Sequence, residues 1–227
     1  MKEGLEANRK ICQKQQSELR RKLRSDDQYQ DAFQLFFKQH AMLHTASMAQ
    51  SETFSLEDEV FEDLSEVIAR RIPLNSENSI TWNIWHIARI EDVAMNMLIA
   101  GSEQVFTRGD WQTKMKIEAR DTGNMMPADK ILQLSEKINI TALRAYRAAV
   151  GQRTREIVRQ LPPEKLKDKV DPARLEDVRS VGAVIPAASD LLAYWSKRNI
   201  AGLLLMPATR HNLVHLNESF RLKEKKN

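Results

Sequence analysis

The chain has 227 residues, of which 42% are hydrophobic, so it is long enough for one domain with a substantial core. Its single cysteine, Cys12, excludes an internal disulfide, and the first residues contain no apolar signal segment, so we expect a cytoplasmic protein. The net charge of +4 is modest, the charges are mixed along most of the chain, and no apolar run approaches the ~20 residues of a membrane span. We therefore expect no nucleic-acid partner and no membrane partner.

Basic residues are concentrated only near the two ends, around residues 20–24 and 223–226. We interpret both groups as solvated ends rather than phosphate-binding arms. Cys12 lies in a polar, basic stretch without a histidine or an acidic neighbour, so we expect a semi-exposed thiol without a catalytic role.

Helix-forming residues dominate nearly every window, so the breaks between them define the predicted elements. A polar helix is predicted over residues 5–24, and Asp27 belongs to the cap of a second helix. Ser55 has the pattern of a helix N-cap. Ser79 opens a strong helix, for which Gly101 is the natural C-terminal stop.

In the second half of the chain, prolines mark most of the predicted boundaries. Pro127 suits the first turn of a long helix that ends at Pro162. Residues 168–185 are predicted to be irregular, and Pro186 starts another helix. Pro207 is expected to interrupt the path into the last helix. The whole pattern predicts an all-α protein built as a helical bundle.

The five histidines are distributed in a way that chance does not explain: they are His40, His44, His86, His211 and His215. Four of them form two pairs spaced four residues apart, whereas roughly 0.1 such pairs are expected by chance at this histidine frequency. Side chains four apart on a helix lie on one face, about 5–6 Å from each other, so each pair can converge on one ion.

The pair His211 and His215 lies among apolar residues and is the leading candidate for metal ligation, with His86 as the third ligand from another helix. Three neutral imidazoles plus water form a common zinc site, and the same donors suit nickel, iron or copper. The roles of His40 and His44 stay open between a fourth ligand, a proton carrier and ordinary packing. His44 is the better ligand candidate of the two.

Two charged residues near the candidate ligands are the catalytic candidates. Glu218 is three residues after His215 on the same helix face, where it could orient that ring, act as a general base, or simply be a surface carboxylate. Arg89 could bind a substrate carboxylate, or pair with Glu91 or Asp92.

Two stretches of the sequence together resemble the DinB-like family of metal-dependent helical bundles. They are WNIWHIARIED at residues 82–92 and MPATRHNLVHLNE at residues 206–218. The family places one histidine on its second bundle helix and an HxxxH pair on its fourth, around a nickel or zinc ion. The resemblance therefore implies that His86, His211 and His215 are the metal ligands.

The resemblance also implies a four-helix bundle with an up-down-down-up order, here residues 26–227, preceded by an extra N-terminal helix in residues 1–25. Family members are often dimeric, so a homodimer is expected. Better-understood relatives use low-molecular-weight thiols, which implies a metal-dependent S-transferase that acts on a small-molecule thiol and an electrophile. The alternatives are a metal-dependent hydrolase and a non-catalytic metal- or ligand-binding bundle of the stress-response type.

Overall fold

Helices follow one another through residues 2–50 and 54–225, the part of the chain that the computed structural model describes. Over these ranges there is no β-strand, only an isolated bridge between Lys169 and Asn199, which confirms the all-α prediction. The α-helices are α1 (Lys2–Lys22), α2 (Tyr29–Leu43), α3 (Ala46–Ala49), α4 (Leu56–Phe61), α5 (Glu66–Arg70), α6 (Ile80–Asp92), α7 (Val105–Arg108), α8 (Trp111–Met115), α9 (Ala128–Lys137), α10 (Ile140–Gln160), α11 (Pro172–Ser180), α12 (Ser189–Ser196), α13 (Ile200–Leu205) and α14 (His211–Glu224).

The helix α6 forms the centre of the bundle and packs against both α10 and α14. It is buried along its whole length, with every residue from Ile80 to Asp92 shielded from solvent. The side chains divide into two apolar clusters, one of which contains Phe36 and Trp195 and the other Trp85 and Leu216. Each large apolar side chain buried in this way contributes about 1.5–3 kcal/mol, so the bundle is held mainly by these two clusters.

The start of α6 is determined locally, as its sequence predicts. The Ser79 hydroxyl accepts a hydrogen bond from the Trp82 backbone N–H at 3.0 Å, the expected N-cap contact. The helix then continues as a wider π-helical segment, Val93–Ala100, and ends where Gly101 adopts a φ of +61°. Glycine is favoured at this position because a left-handed backbone costs it nothing.

The path from α13 into α14 differs from the prediction, because Pro207 does not break it. A π-helical segment, Met206–Arg210, joins the two helices and absorbs the missing proline N–H. The Thr209 hydroxyl donates to the carbonyls of Leu204 at 3.2 Å and Leu205 at 2.8 Å, which compensates for backbone bonds lost at the proline. The chain therefore reaches His211 in a continuous helical course.

Two further predicted elements are corrected by the structure. The long helix predicted after Pro127 consists of α9 and α10, because the Asn139 side chain caps a new helix by accepting from the Ala142 backbone N–H at 3.0 Å. The segment 168–185, predicted to be irregular, contains α11. Pro172 begins that helix, and the Asp171 carboxylate accepts from the backbone N–H of Ala173.

The N-terminal helix α1 packs along α2 and contributes buried side chains to both apolar clusters. Leu19 joins one cluster and Cys12 joins the other, so the prediction of a semi-exposed thiol was wrong. Burial raises the pKa of Cys12 to about 11, although a hydrogen bond from Gln39 opposes the shift. The division into an extension and a bundle domain at residues 1–25 and 26–227 stays a prediction.

Candidate metal centre

The imidazoles of His86, His211 and His215 meet where α6 faces the start of α14. The ring centre of His86 lies 5.0 Å from that of His211 and 5.0 Å from that of His215, and the two rings of α14 are 4.6 Å apart. One nitrogen from each ring lies within 4.8 Å of the others. The structure thus brings together the three residues that the sequence proposes as ligands.

Hydrogen bonds made by Nδ1 fix the tautomer of two of these rings, His86 and His215. The Nδ1–H of His86 donates to the backbone carbonyl of Thr122 at 2.6 Å. Nδ1 of His215 lies 3.0 Å from a carboxylate oxygen of Glu218 and 3.2 Å from the side-chain oxygen of Asn83, so it also carries the proton. In both rings Nε2 keeps its lone pair for an ion, which is the usual arrangement around protein-bound metals.

Burial keeps the ring of His86 and the ring of His211 uncharged, as metal ligation requires. Desolvation, with a smaller contribution from His215, lowers the pKa of His86 to about 3. Desolvation, with the neighbouring His86 and His215, holds the pKa of His211 well below its ordinary value. Trp82 stacks on His86 with 4.6 Å between ring centres and an interplanar angle of 12°, which fixes the plane of that ring.

The spacing of the rings fits one divalent ion. A metal about 2.0–2.1 Å from each ring nitrogen would be roughly 3.1 Å from each ring centre, and the observed separations then correspond to ligand angles of about 95–110°. Tetrahedral and octahedral sites both have angles near this range. Three imidazole donors suit zinc, nickel, iron or copper, so the geometry is compatible with a metal but does not choose among these.

Of the roles considered for Glu218, its contacts support orientation of the His215 ring. Its carboxylate accepts the hydrogen bond from Nδ1 of His215, and this bond is the main reason that the pKa of Glu218 lies below its ordinary value. The side chains of His215 and Glu218 are 16% and 32% exposed, so solvent reaches the candidate centre from this side. A further role of Glu218 as a base stays a prediction.

The contacts of Arg89 do not support the predicted role of a substrate-binding residue. Its side chain is buried, and the guanidinium donates to five acceptors, which are the side chains of Asp92, Tyr146 and Gln104 and the backbone carbonyls of Arg120 and Asp121. Arginine has five N–H donors, so none is left for a substrate in this arrangement. Pairing with Asp92, the alternative, is the contact observed.

The network around Arg89 nevertheless contributes to the candidate centre. By holding the carbonyls of Arg120 and Asp121, it anchors the segment whose next residue, Thr122, accepts the hydrogen bond from His86. Gly123 follows with a φ of +83°, and a Cβ there would lie 2.5 Å from the ring of Trp85. Nothing in the sequence pattern indicates that a backbone carbonyl in this connection would orient a ligand.

His44 is not placed with the other candidate ligands. It forms a second cluster with His40 and Glu91, in which Nε2 of His40 donates to one oxygen of Glu91 at 2.9 Å and Nε2 of His44 donates to the other at 3.0 Å. The same carboxylate accepts from Thr154 and from Asn212, both at 2.7 Å. Glu91 therefore has four donors, all of them buried.

The contacts to Glu91 make this second cluster a hydrogen-bond network, and its three residues also have the spacing of a group that could hold a metal ion. In a ligating histidine the second ring nitrogen usually donates to an acceptor, as in His86 and His215. Among the described residues, the Nδ1 atoms of His40, His44 and His211 are all buried without a partner, so this feature does not separate the two clusters, and a Cβ on Gly151 would lie 2.7 Å from Nδ1 of His44. Desolvation lowers the pKa of His40 and takes that of His44 to about 3, so both rings are neutral donors.

The fold and the site define a helical-bundle protein with a candidate tri-histidine metal centre. The sequence profile of the DinB superfamily matches residues 51–206, which is more than half of the chain and includes His86 but ends before His211. The chain therefore belongs to the DinB superfamily. No curated protein matches it. Within the described residues, no helix is both long enough and apolar enough to cross a membrane.

Proposed function

We propose that this protein is a metal-dependent enzyme that joins a small-molecule thiol through its sulfur to an electrophilic carbon, with release of the thiol proton and the leaving group, using nickel or zinc held by His86, His211 and His215. The observation that supports this most directly is the convergence of three imidazoles, one buried and two partly buried, two of which have their tautomers fixed by hydrogen bonds to Nδ1. The choice of reaction comes from the resemblance to family members that use low-molecular-weight thiols.

The position of His44 favours an enzyme over a purely structural metal site. Because His44 and its partner Glu91 are engaged with each other, neither supplies a fourth ligand to the candidate centre. Catalytic metal sites commonly have three protein ligands and one position for water or substrate. The partial exposure of His215 and Glu218 gives a substrate an approach to that position.

The chain itself offers no cysteine nucleophile, since Cys12 is buried and burial raises its pKa to about 11. A bound divalent ion would supply the missing activation, because a coordinated thiol loses its proton at neutral pH. The protein residues have supporting roles: Glu218 keeps the proton on Nδ1 of His215, and Trp82 forms an apolar wall beside His86.

Metal content tests the ligand set. We expect about one nickel or zinc per chain by plasma mass spectrometry of tag-free wild-type protein, and loss of that metal in His86→Ala and His211→Ala. His44→Ala is the matched control, since it removes a buried imidazole outside the candidate centre and should retain the metal. Wild-type protein that neither contains nor takes up nickel or zinc would refute the metal site.

Activity tests the reaction. Metal-loaded protein should consume glutathione, bacillithiol or mycothiol in the presence of monochlorobimane faster than the His211→Ala variant. Equal rates would reject the S-transferase, and ester or amide hydrolysis by the same protein would then support the hydrolase alternative. Metal binding without any turnover would support the non-catalytic bundle. Light scattering after size exclusion tests the proposed homodimer, which should have twice the chain mass of 26.2 kDa.

A further inference from the structure

A large groove between α1 and the last three helices is lined by none of the five histidines. It has a volume of about 1080 Å³ and is continuous with a smaller cavity of about 290 Å³, because Ser17, Arg20 and Arg24 line both. On α14 the groove is lined by Leu213, Val214 and Asn217, and none of His86, His211 and His215 lines it. The groove is therefore a separate feature from the candidate metal centre.

The lining of this groove has one sign of charge. Six cationic side chains contribute to it and no carboxylate does, although the chain has 35 Lys and Arg and 31 Asp and Glu residues. These six side chains are Arg20, Arg24, Lys169, Lys197, Arg198 and Arg210. The groove alone thus holds more positive charge than the net +4 of the whole chain. A concave surface lined by one sign of charge concentrates ions of the opposite sign.

Among the side chains that the structure describes, these cations have no carboxylate partner. In the described ranges no carboxylate forms an ion pair with any of the six, whereas buried arginines elsewhere are paired, as Arg147 is with Glu57 at 2.7 Å. Lys169 donates only to the backbone carbonyl of Lys197, and Arg198 stacks on the ring of Tyr194 at 4.1 Å. Their mutual repulsion is a cost that a bound polyanion would remove.

Apolar side chains also line the groove, and they favour an organic anion over an inorganic one. These side chains, which we call the floor of the groove, are Leu23, Leu205, Met206 and Leu213. An inorganic anion would gain nothing from this floor, whereas an organic group such as a base would bury apolar surface there.

Two buried polar atoms on opposite walls lack a partner in the described structure. Nε of Arg198 is an unsatisfied donor, and the side-chain oxygen of Gln16 is an unsatisfied acceptor, while its amide nitrogen donates to the carbonyl of Leu205 at 3.0 Å. A buried unpaired polar atom costs about 1–3 kcal/mol, so a ligand that offers both an acceptor and a donor would be favoured here. A phosphate suits Arg198, and the N–H of a nucleobase suits Gln16.

We propose that this groove binds an organic polyphosphate of the nucleotide type, with its phosphates against the basic walls and its base on the apolar floor. The basic group at residues 20–24, which the sequence suggests is only a solvated end, is then part of a binding site. That group lies on α1, outside the superfamily match at residues 51–206. The site therefore includes residues from outside the matched range.

The test is fluorescence anisotropy of ATP labelled with a methylanthraniloyl group, titrated with wild-type protein in chelator and again after nickel loading. We expect saturable binding under both conditions and in His211→Ala, because the groove is independent of the candidate metal centre. Unlabelled ATP should compete about tenfold better than inorganic triphosphate, since only ATP can use the apolar floor. Absence of saturable binding would overturn the proposal.

The variant Arg20→Gln/Arg198→Gln should weaken binding at least about tenfold. The matched control Arg108→Gln/Lys137→Gln removes the same charge from exposed positions outside the groove and should bind within about twofold of wild type. Equal losses in the two variants would mean non-specific attraction and would overturn the site. A 12-nucleotide oligothymidine that binds more tightly than ATP would also overturn it, in favour of a nucleic-acid groove.

Discussion

Replacement of Glu91 by glutamine should destabilise the fold substantially, although the two side chains have almost the same shape. The carboxylate of Glu91 is buried and accepts hydrogen bonds from His40, His44, Thr154 and Asn212 at 2.7–3.0 Å. Burial alone would raise the pKa of Glu91, but the interactions with His44 and His40, which include the hydrogen bonds that the two neutral rings donate, hold the pKa well below its ordinary value. Glu91 is therefore ionised at neutral pH.

The magnitude follows from the number of donors. Hydrogen bonds to a charged group contribute about 1.5–3 kcal/mol each, against about 0.5–1.5 kcal/mol between neutral groups. In Glu91→Gln the amide group would face two donors, so two of the four bonds are lost and the other two are weakened. The lower cost of burying an amide offsets several kcal/mol of this loss. We expect a net destabilisation of about 2–4 kcal/mol.

Urea unfolding followed by circular dichroism measures this difference on metal-free protein, where the effect cannot come from the candidate metal centre. The control is Glu136→Gln, which changes the same groups at an exposed position and should stay within about 0.5 kcal/mol of wild type. A difference below about 1 kcal/mol between Glu91→Gln and wild type would refute the charged four-donor network.

Three further predictions follow from the same geometry. Gly151→Ala should cost about 1–3 kcal/mol in urea unfolding, because its Cβ would lie 2.7 Å from the ring of His44, whereas Gly4→Ala, with no atom within 4 Å, should be neutral or stabilising. The unfolding free energy of the metal-free protein should fall by roughly 2 kcal/mol for each of His44 and His86 between pH 7 and pH 5, since their folded pKa of about 3 lies below the unfolded value and only the unfolded state gains the proton. Glu218→Gln should weaken metal binding by about 10–100-fold in a chelator competition, because it replaces the carboxylate that orients a ligand.

Each of these predictions has a result that would contradict it. Equal stabilities of the two glycine variants would mean that the contact between α10 and the second histidine cluster is loose. A flat stability between pH 5 and pH 7 would mean that His44 and His86 are not buried as neutral rings. Unchanged metal affinity in Glu218→Gln would leave that carboxylate as a surface group.

The local sequence was sufficient for the features that depend on a single helix. The start of α6 at Ser79 and the stop at Gly101 follow from capping chemistry, which involves only a few neighbouring residues. The spacing of His211 and His215 places both rings on one side of α14 for the same reason. The all-α class is equally visible, because helical periodicity is a local property of the chain.

Only the tertiary structure decided which helix faces meet. Both histidine pairs have the same spacing. The pair His40 and His44, at the end of α2, faces Glu91, whereas the pair on α14 faces His86. The periodicity of a helix determines its faces but not its rotation against a neighbour, which depends on packing over the whole bundle.

The same limit explains the contacts that the sequence did not indicate. The backbone carbonyl of Thr122 orients His86. Every residue type has such a carbonyl, so the sequence contains no signal for this contact. The hydrogen bonds that occupy all donors of Arg89 include one to the carbonyl of Arg120, about 30 residues further along the chain. The basic groove brings together Arg20 and Arg198, which lie near opposite ends of the sequence. Such contacts come from long-range packing, which charge and spacing within one segment do not specify.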